Sequence, residues 1–309
     1  MKKEIIFDLK ELDRYLNKIK SIFPVKTLIQ EKVGVDKITN YYKESSAGYH
    51  FLLSNEGAVH MAINYDGVFH KEGYYTQVKE ISELINKNAP KKILELGCGK
   101  GFNSIYLAKT FPNMKFSGID ITEKHLQLAI KKSKKIKNLT FSFGDFHKLD
   151  FPNSSFDLIF ELEAICHAKN PSQVLTEIYR LLTKKGQFVL YEGFRNIDFE
   201  KYPANLVTAA ILTEKSMAVN KFENIDIWLK IAQQTGFTIK LEQDLSKAIM
   251  PNLKRLQFLA RGYFKYPFLS RIFLRILPLN MVMNSIAGLL MPFTLQNKAH
   301  VYYKIILEK

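Results

Sequence analysis

Two cysteines and one tryptophan are all that this 309-residue chain has of either type. Cys98 and Cys166 make no C-x-x-C pair and no framework of spaced bridges. That excludes a disulfide-stapled secreted scaffold, favours a reducing compartment, and gives no grounds to expect a metal site. The opening M-K-K-E-I-I-F-D is charged and alternating and has no apolar stretch, so no secretory signal is expected and the protein is expected in the cytoplasm. Long apolar runs are missing too. Residues Ile276 to Asn297 carry no charge, but Pro278, Asn280, Asn284, Gly288 and Pro292 interrupt them. One or two short buried or interfacial helices fit that stretch better than a spanning one.

Acid is nearly absent from the last fifth of the chain. Lysine and arginine number 45 against 30 acids, a net charge of +15, and from Leu245 to Leu307 there is no Asp or Glu at all. Nine cations stand there: Lys247, Lys254, Arg255, Arg261, Lys265, Arg271, Arg275, Lys298 and Lys304. Among them lie Leu256, Phe258, Leu259, Tyr263, Phe264, Tyr266, Phe268, Leu269, Ile272, Phe273 and Leu274. Basic residues interleaved with large apolar ones suit an anionic membrane surface or an amphipathic ligand better than a nucleic-acid groove. A solvated basic face over an ordinary core is the plainer alternative.

What the chain does have is a glycine loop. Residues Ile93 to Phe102 read I-L-E-L-G-C-G-K-G-F, a short apolar strand ending in an acid and three closely spaced glycines, Gly97, Gly99 and Gly101. Glycines at that spacing let the backbone turn sharply and approach a ligand without interference from a Cβ. An acid, Asp120, closes the next apolar run 21 residues beyond Gly99, where a ribose diol would be held. Phe102 departs from the dinucleotide spacing, which favours a nucleoside without a pyrophosphate.

The apolar pattern predicts a helix over Leu9 to Gln30 and an irregular, Tyr-rich cap over Tyr41 to Tyr75. Beyond these it predicts a helix over Tyr74 to Lys87 and strands at Lys92–Leu96, Lys115–Ile119, Leu139–Phe143, Phe156–Leu162, Gln187–Glu192, Phe237–Gln243 and Val301–Leu307. Helices are expected at Asn103–Thr110, Glu123–Ile136, Pro171–Leu182 and Glu223–Thr235. Seven strands mostly separated by helices imply an α/β doubly wound, mostly parallel sheet. Ligands in such sheets sit beyond the carboxyl ends of the strands. Glu95, Asp120, Asp145, Glu161, Glu163, His167 and Glu192 all fall at those ends.

These residues carry a resemblance. E-L-G-C-G-K-G at Glu95 to Gly101, the acid of G-I-D at Asp120, and G-D at Gly144 to Asp145 resemble the motifs of class I S-adenosylmethionine-dependent methyltransferases over roughly residues 74 to 245. The resemblance implies a Rossmann-like methyltransferase fold and S-adenosyl-L-methionine as cofactor. It implies that Gly97 and Gly99 face the methionine part, that Asp120 binds the ribose hydroxyls and Asp145 the adenine amine, and that Phe146 flanks the adenine; Glu95, Cys98, Gly101, Ile121, Gly144 and Glu161 are expected in the cofactor site with them. E-A-I-C-H-A at Glu163 to Ala168, E-I-Y-R-L-L at Glu177 to Leu182 and Y-E at Tyr191 to Glu192 are further similar to the sterol 24-C-methyltransferase group. So are Tyr41, Tyr42 and His60, more loosely. Ile165 and Lys169 depart from that group's usual threonine and proline.

A hydrophobic acceptor follows from the same residues. The resemblance implies a tight join between the last two strands, yet more than fifty residues, Leu245 to Lys298, separate them here. An insertion that rich in Phe, Leu and Met is expected to form a lid over an apolar pocket. The expected organisation is a helical and loop cap over 1–72, a cofactor-binding core over 73–244, the lid over 245–298 and a final core strand over 299–309. Glu163, His167, Tyr41 and Tyr42, with His60 and Glu192 behind them, are the residues expected to serve methyl transfer to a sterol or isoprenoid alkene carbon. The alternatives are O- or N-methylation of a small amphiphile or quinone and, less favoured, an RNA-directed enzyme or a non-catalytic cofactor-binding protein. Peripheral contact with an anionic membrane is expected of the lid, and a homo-oligomer is left open.

Overall fold

A computed structural model describes residues 8–309. The charged opening segment read above for a secretory signal therefore lies, except for Asp8, outside the described residues. Seven strands form one mixed sheet: β1 (Lys92–Leu96), β2 (Lys115–Asp120), β3 (Leu139–Phe143), β4 (Phe156–Leu162), β5 (Leu182–Arg195), β6 (Thr238–Asp244) and β7 (His300–Glu308). Their order is β3-β2-β1-β4-β5-β7-β6. The first five run parallel, and β7 is antiparallel to both β5 and β6. This is the Rossmann-like methyltransferase architecture.

The sheet is covered on both faces because its central strands are apolar on both sides, as parallel strands must be. In β1, Ile93, Leu94 and Leu96 are fully buried. On one face lie α7 (Pro171–Leu181) and α9 (Ile225–Thr235), whose Val174, Leu175, Ile178, Trp228 and Leu229 pack with Phe188 and Leu190. On the other lie α4 (Thr76–Asn88) and α5 (Phe102–Thr110), where Val78, Ile81, Ile85 and Leu107 meet Ile93 and Phe160. α6 (Glu123–Ser133) covers β2 and β3. Asn170 caps α7 through its side chain and Asn224 caps α9, each supplying an acceptor to backbone N–H groups that the first helical turn leaves unpaired.

A third layer is helical. It comprises α1 (Leu9–Ile22), α2 (Val25–Gln30), α3 (Val35–Leu52), α8 (Ala204–Ser216), α10 (Ser246–Tyr263), α11 (Pro267–Ile276) and α12 (Leu279–Gln296). Leu12, Leu16 and Ile19 of α1 share one apolar core with Leu206 and Leu212 of α8 and with Ile286, Leu289 and Phe293 of α12. The segments at both ends of the chain thus close on each other. The expected first helix is broken at Pro24, whose missing N–H cannot continue the ladder.

Two differences from the sequence reading matter for function. The Tyr-rich segment is not irregular at its start: α3 is an 18-residue helix carrying both Tyr41 and Tyr42. Its contacts with α12 are largely polar, with Asn284 Nδ2 donating to Ser45 Oγ at 2.8 Å and Glu44 Oε2 accepting from the Asn280 side chain at 2.9 Å. Hydrophobic periodicity therefore does not reveal them. Between β6 and β7 the insertion forms three helices, and α12 alone takes 18 residues. No described helix is long and apolar enough to cross a membrane.

Candidate functional site

The order of the sheet reverses between β1 and β4, and the loops that leave those two strands meet there. They meet closely. A Cβ on Gly97 would stand 2.4 Å from the Cβ of Ala164, so only glycine fits, and Gly97 itself has φ +65°. Across from it Glu163 holds a left-handed φ of +56°, uncommon for a residue with a side chain, and its N–H donates to Tyr191 O at 2.9 Å. The strained turn aims the Glu163 carboxylate back over the end of the sheet.

The first half of the site is a polar pocket lined by Gly97, Cys98, Gly99, Asp120, Ile121, Gly144, Asp145 and Phe146, together with Glu95 and His60. Asp120 Oδ2 accepts from Gly99 N at 2.8 Å and its Oδ1 from Thr122 N at 2.7 Å. The acid therefore shapes the loop while each oxygen keeps acceptor capacity for a ligand. Glu95 turns inward: it accepts from Asn103 Nδ2 at 3.0 Å, Ser104 N at 3.1 Å and the Ser104 hydroxyl. That closes the first turn of α5, and burial pushes Glu95 up to about 7 in spite of those donors.

Two residues expected in this pocket do not line it. Gly101 starts α5 with φ +77°, and a Cβ there would meet Phe141 at 2.7 Å, so its place is set by packing. Glu161 is fully buried below the rim, its Oε2 accepting from Ala164 N at 2.7 Å. Burial and the neighbouring Glu192 push Glu161 well above the usual carboxylate range.

Unpaired buried polar atoms in this pocket suit a polar ligand. His60 Nε2, Asn103 Oδ1 and His125 Nε2 have no hydrogen-bond partner among the described residues, and all three side chains line the pocket. Such groups are costly to leave unsatisfied. Burial pulls His60 down to about 4 and lowers His125 as well, so both are neutral and can each donate or accept. At the β3 end, Asp145 Oδ1 accepts from His147 N at 3.0 Å and from its Nδ1 at 2.6 Å, while His147 Nε2 accepts from Lys169 N at 3.1 Å. A proline at position 169, usual in the sterol group, would have no N–H to give. Lys169 therefore fixes the tautomer that orients Asp145.

The second half is an apolar cavity of about 430 Å³. Its walls come from α3, α8, α10 and α12, with Leu253, Leu256, Met281, Val282, Ala287 and Met291 facing it. Polar groups are few. Tyr41 Oη donates to Asn284 Oδ1 at 2.6 Å and contacts Tyr49 Oη. Glu192 has both oxygens occupied, by Cys166 N at 2.9 Å and Gly193 N at 2.8 Å, and burial raises it with Glu161.

The two halves touch at Tyr42, Val59, Glu163 and His167, which line both. His167 Nδ1 lies 3.1 Å from the carbonyl of Ala218, which can only accept, so the proton is on Nδ1. Its Nε2 then accepts from Tyr42 Oη at 2.9 Å, and burial keeps the ring neutral, with its pKa down at about 4. Glu163 Oε1 accepts from Met61 N at 2.7 Å and from Tyr302 Oη at 2.8 Å. Burial pushes it up to about 7 against those two donors, and its other oxygen has no hydrogen-bond partner among the described residues. Sequence reasoning missed Asn103, His125, His147, Val59 and Tyr302. Asn103, next but one to the last loop glycine, His147, next but one to Asp145, and Val59, beside His60, stood near residues already singled out.

A methyltransferase domain family matches residues 87–243, half of the chain. The sterol 24-C-methyltransferase of Saccharomyces cerevisiae is 27% identical over 157 residues, covering 50% of this chain and 41% of that protein. The S-adenosyl-L-methionine-dependent Diels-Alderase of Talaromyces variabilis is 25% identical over 236 residues, covering 72% of this chain and 80% of that one. This chain spans about half the length of the yeast sterol methyltransferases it matches. In fold it resembles the geranyl diphosphate C-methyltransferase of Streptomyces coelicolor A3(2), with a TM-score of 0.60, 11% identity, and coverage of 87% of this chain and 98% of that chain.

Proposed function

The chain belongs to the methyltransferase domain family, and from that premise we propose that it transfers a methyl group from S-adenosyl-L-methionine to a carbon atom of a hydrophobic acceptor, an alkene of the sterol or isoprenoid type. The observation that carries this reading is the shared wall: a pocket with unpaired buried polar groups adjoins an apolar cavity at Tyr42, Val59, Glu163 and His167, which line both. Asp120, His60, Asn103 and His125 would hold the cofactor, which when bound supplies an electrophilic sulfonium methyl.

The remaining work falls to the chain. The cavity walls exclude water and align the acceptor. When one alkene carbon takes the methyl, its neighbour becomes cationic. Tyr41 and Tyr42, with rings 5.1 Å apart and edge to face, offer π electrons nearby. Loss of a proton from the carbon skeleton to Glu163 restores neutrality, and a carboxylate held near 7 is suited to accept it. His167 positions: with Nδ1 on a carbonyl and Nε2 on Tyr42, it fixes the phenol at the junction.

A second reading is favoured by one observation, the likeness to a protein named as a Diels-Alderase dependent on the same cofactor. There the cofactor would be held and not consumed while the cavity folds a polyene. Incubation with methyl-labelled cofactor and a panel of sterols, quinones and polyprenyl compounds separates the two. The methylation reading expects label in the organic product with an equal amount of S-adenosylhomocysteine. Rearranged acceptor without S-adenosylhomocysteine would select the second reading.

A further inference from the structure

The helix α11 is the least covered element of the helical layer. Ser270 is its one fully buried residue. Phe268 is 72% exposed and Ile276 71%, and Leu269, Ile272 and Phe273 are exposed with them. Scattered apolar residues on a surface need no explanation, but a contiguous set of this size on one short helix does. Phe258 on the neighbouring α10 is 75% exposed and extends the same character.

Charge says what would cover it. Lys265, Arg271 and Arg275 are exposed around the apolar residues, and no acid occurs anywhere from Leu245 to Leu307. Acids that reach this layer from α1 and α3 are already engaged: Glu11 pairs with Arg261 at 3.1 Å, Asp13 accepts from Asn205 at 3.0 Å and Glu44 accepts from Asn280 at 2.9 Å. Arg271 donates to Ser21 O at 2.6 Å, which fixes α11 against α1 and leaves its charge at the surface. A second copy docked through the same patch would set these cations against their own counterparts, with the acids of the layer already engaged within each copy.

We propose that α11 docks the protein on the surface of an anionic lipid bilayer, with Phe268, Phe273 and Ile276 entering the acyl boundary and Lys265 and Arg275 meeting the phosphates. The geometry matches an interfacial helix, with aromatic and aliphatic residues inserted and cations at headgroup level. A second observation joins the surface to the site. Leu259 and Leu277 are at once exposed and part of the apolar cavity lining, so the cavity reaches the surface beside α11. A lipid leaving the bilayer there would pass into the cavity without crossing water. That last step rests on the reading of the cavity given above; the docking of α11 does not.

The test uses the full chain and no methyl transfer, so its failure is distinct from failure of that reading. Vesicles of neutral phosphatidylcholine are compared with vesicles that also contain phosphatidylglycerol, in co-sedimentation at low and raised salt. Wild type is expected to bind the anionic vesicles and to weaken with salt. The Lys265→Glu/Arg275→Glu pair should lose on the order of thirtyfold in partitioning or more, and Phe268→Ser/Ile276→Ser should lose binding to all vesicles. Both variants should keep the wild-type affinity for S-adenosylhomocysteine, which reports an intact fold. Failure of wild type to bind anionic vesicles, or wild-type partitioning by the charge-reversed variant, would overturn the proposal. So would sedimentation velocity showing a wild-type oligomer that Phe268→Ser/Ile276→Ser converts to monomer, since a second copy would then be the occupant.

Discussion

The two halves of the site are built on opposite principles. The half proposed for the cofactor stands on strand ends: Gly97, Gly99 and Asp120 occupy loops that the parallel sheet forces together, and it offers a few polar atoms at fixed positions. The half proposed for the acceptor is walled by helices drawn from three distant parts of the chain, α3, α8, and α10 with α12, and offers mostly shape. A strand-end site binds one ligand well because hydrogen bonds lost to a wrong ligand are costly. A helix-walled apolar cavity discriminates by fractions of that, through volume, and its wall can change without disturbing the chemistry next to it.

The contrast can be broken by removing one polar group. Asp120→Ala takes away the carboxylate that holds Gly99 N and Thr122 N and faces the pocket. Loss on the order of a hundredfold in affinity for S-adenosylhomocysteine is expected in calorimetry, from charge-assisted hydrogen bonds of about 1.5–3 kcal/mol each. Unchanged affinity would remove Asp120 from the site.

A smaller effect is expected from the cavity. Ala287 lines it from α12 and is almost fully buried. Ala287→Leu should raise the KM of a bulky acceptor by roughly tenfold to a hundredfold and leave cofactor affinity as it was. A cofactor defect of similar size would mean that the two halves are not separable.

The same contrast explains what the sequence discloses. β1, β3 and β4 are legible to the residue because each is a short run of alternating or continuous apolar residues rich in strand formers. Gly97 and Asp120 are legible because a glycine loop and an acid one βα unit later have a single joint purpose. β5 is longer than its core pattern, running from Leu182 instead of Gln187, because its pairing with β4 slips between Phe156 and Leu158. Periodicity carries no trace of that irregularity. α8 went unpredicted: Thr213, Glu214, Lys215 and Ser216 at its end are all buried, with Glu214 paired to Arg195 at 2.6 Å, so its polar residues mask a core helix. Tyr41 and Asn284, 243 residues apart, meet through a hydrogen bond that no local pattern encodes. Polar partners at long separation are what the one-dimensional reading lacks, and the acceptor half depends on them.

The residue where the halves meet decides the account. Glu163 has its pKa raised by burial to about 7, so its basic form is lost as pH falls through that value, whereas His167, held down at about 4, stays neutral over the same range. The most direct test is the pH profile of kcat for methyl transfer in wild type and Glu163→Gln. A rate that rises with pH through about 7 in wild type, and in Glu163→Gln a rate on the order of a hundredfold lower or less with that limb gone, is the predicted result. Persistence of the same limb in Glu163→Gln would contradict Glu163 as the base that completes the transfer.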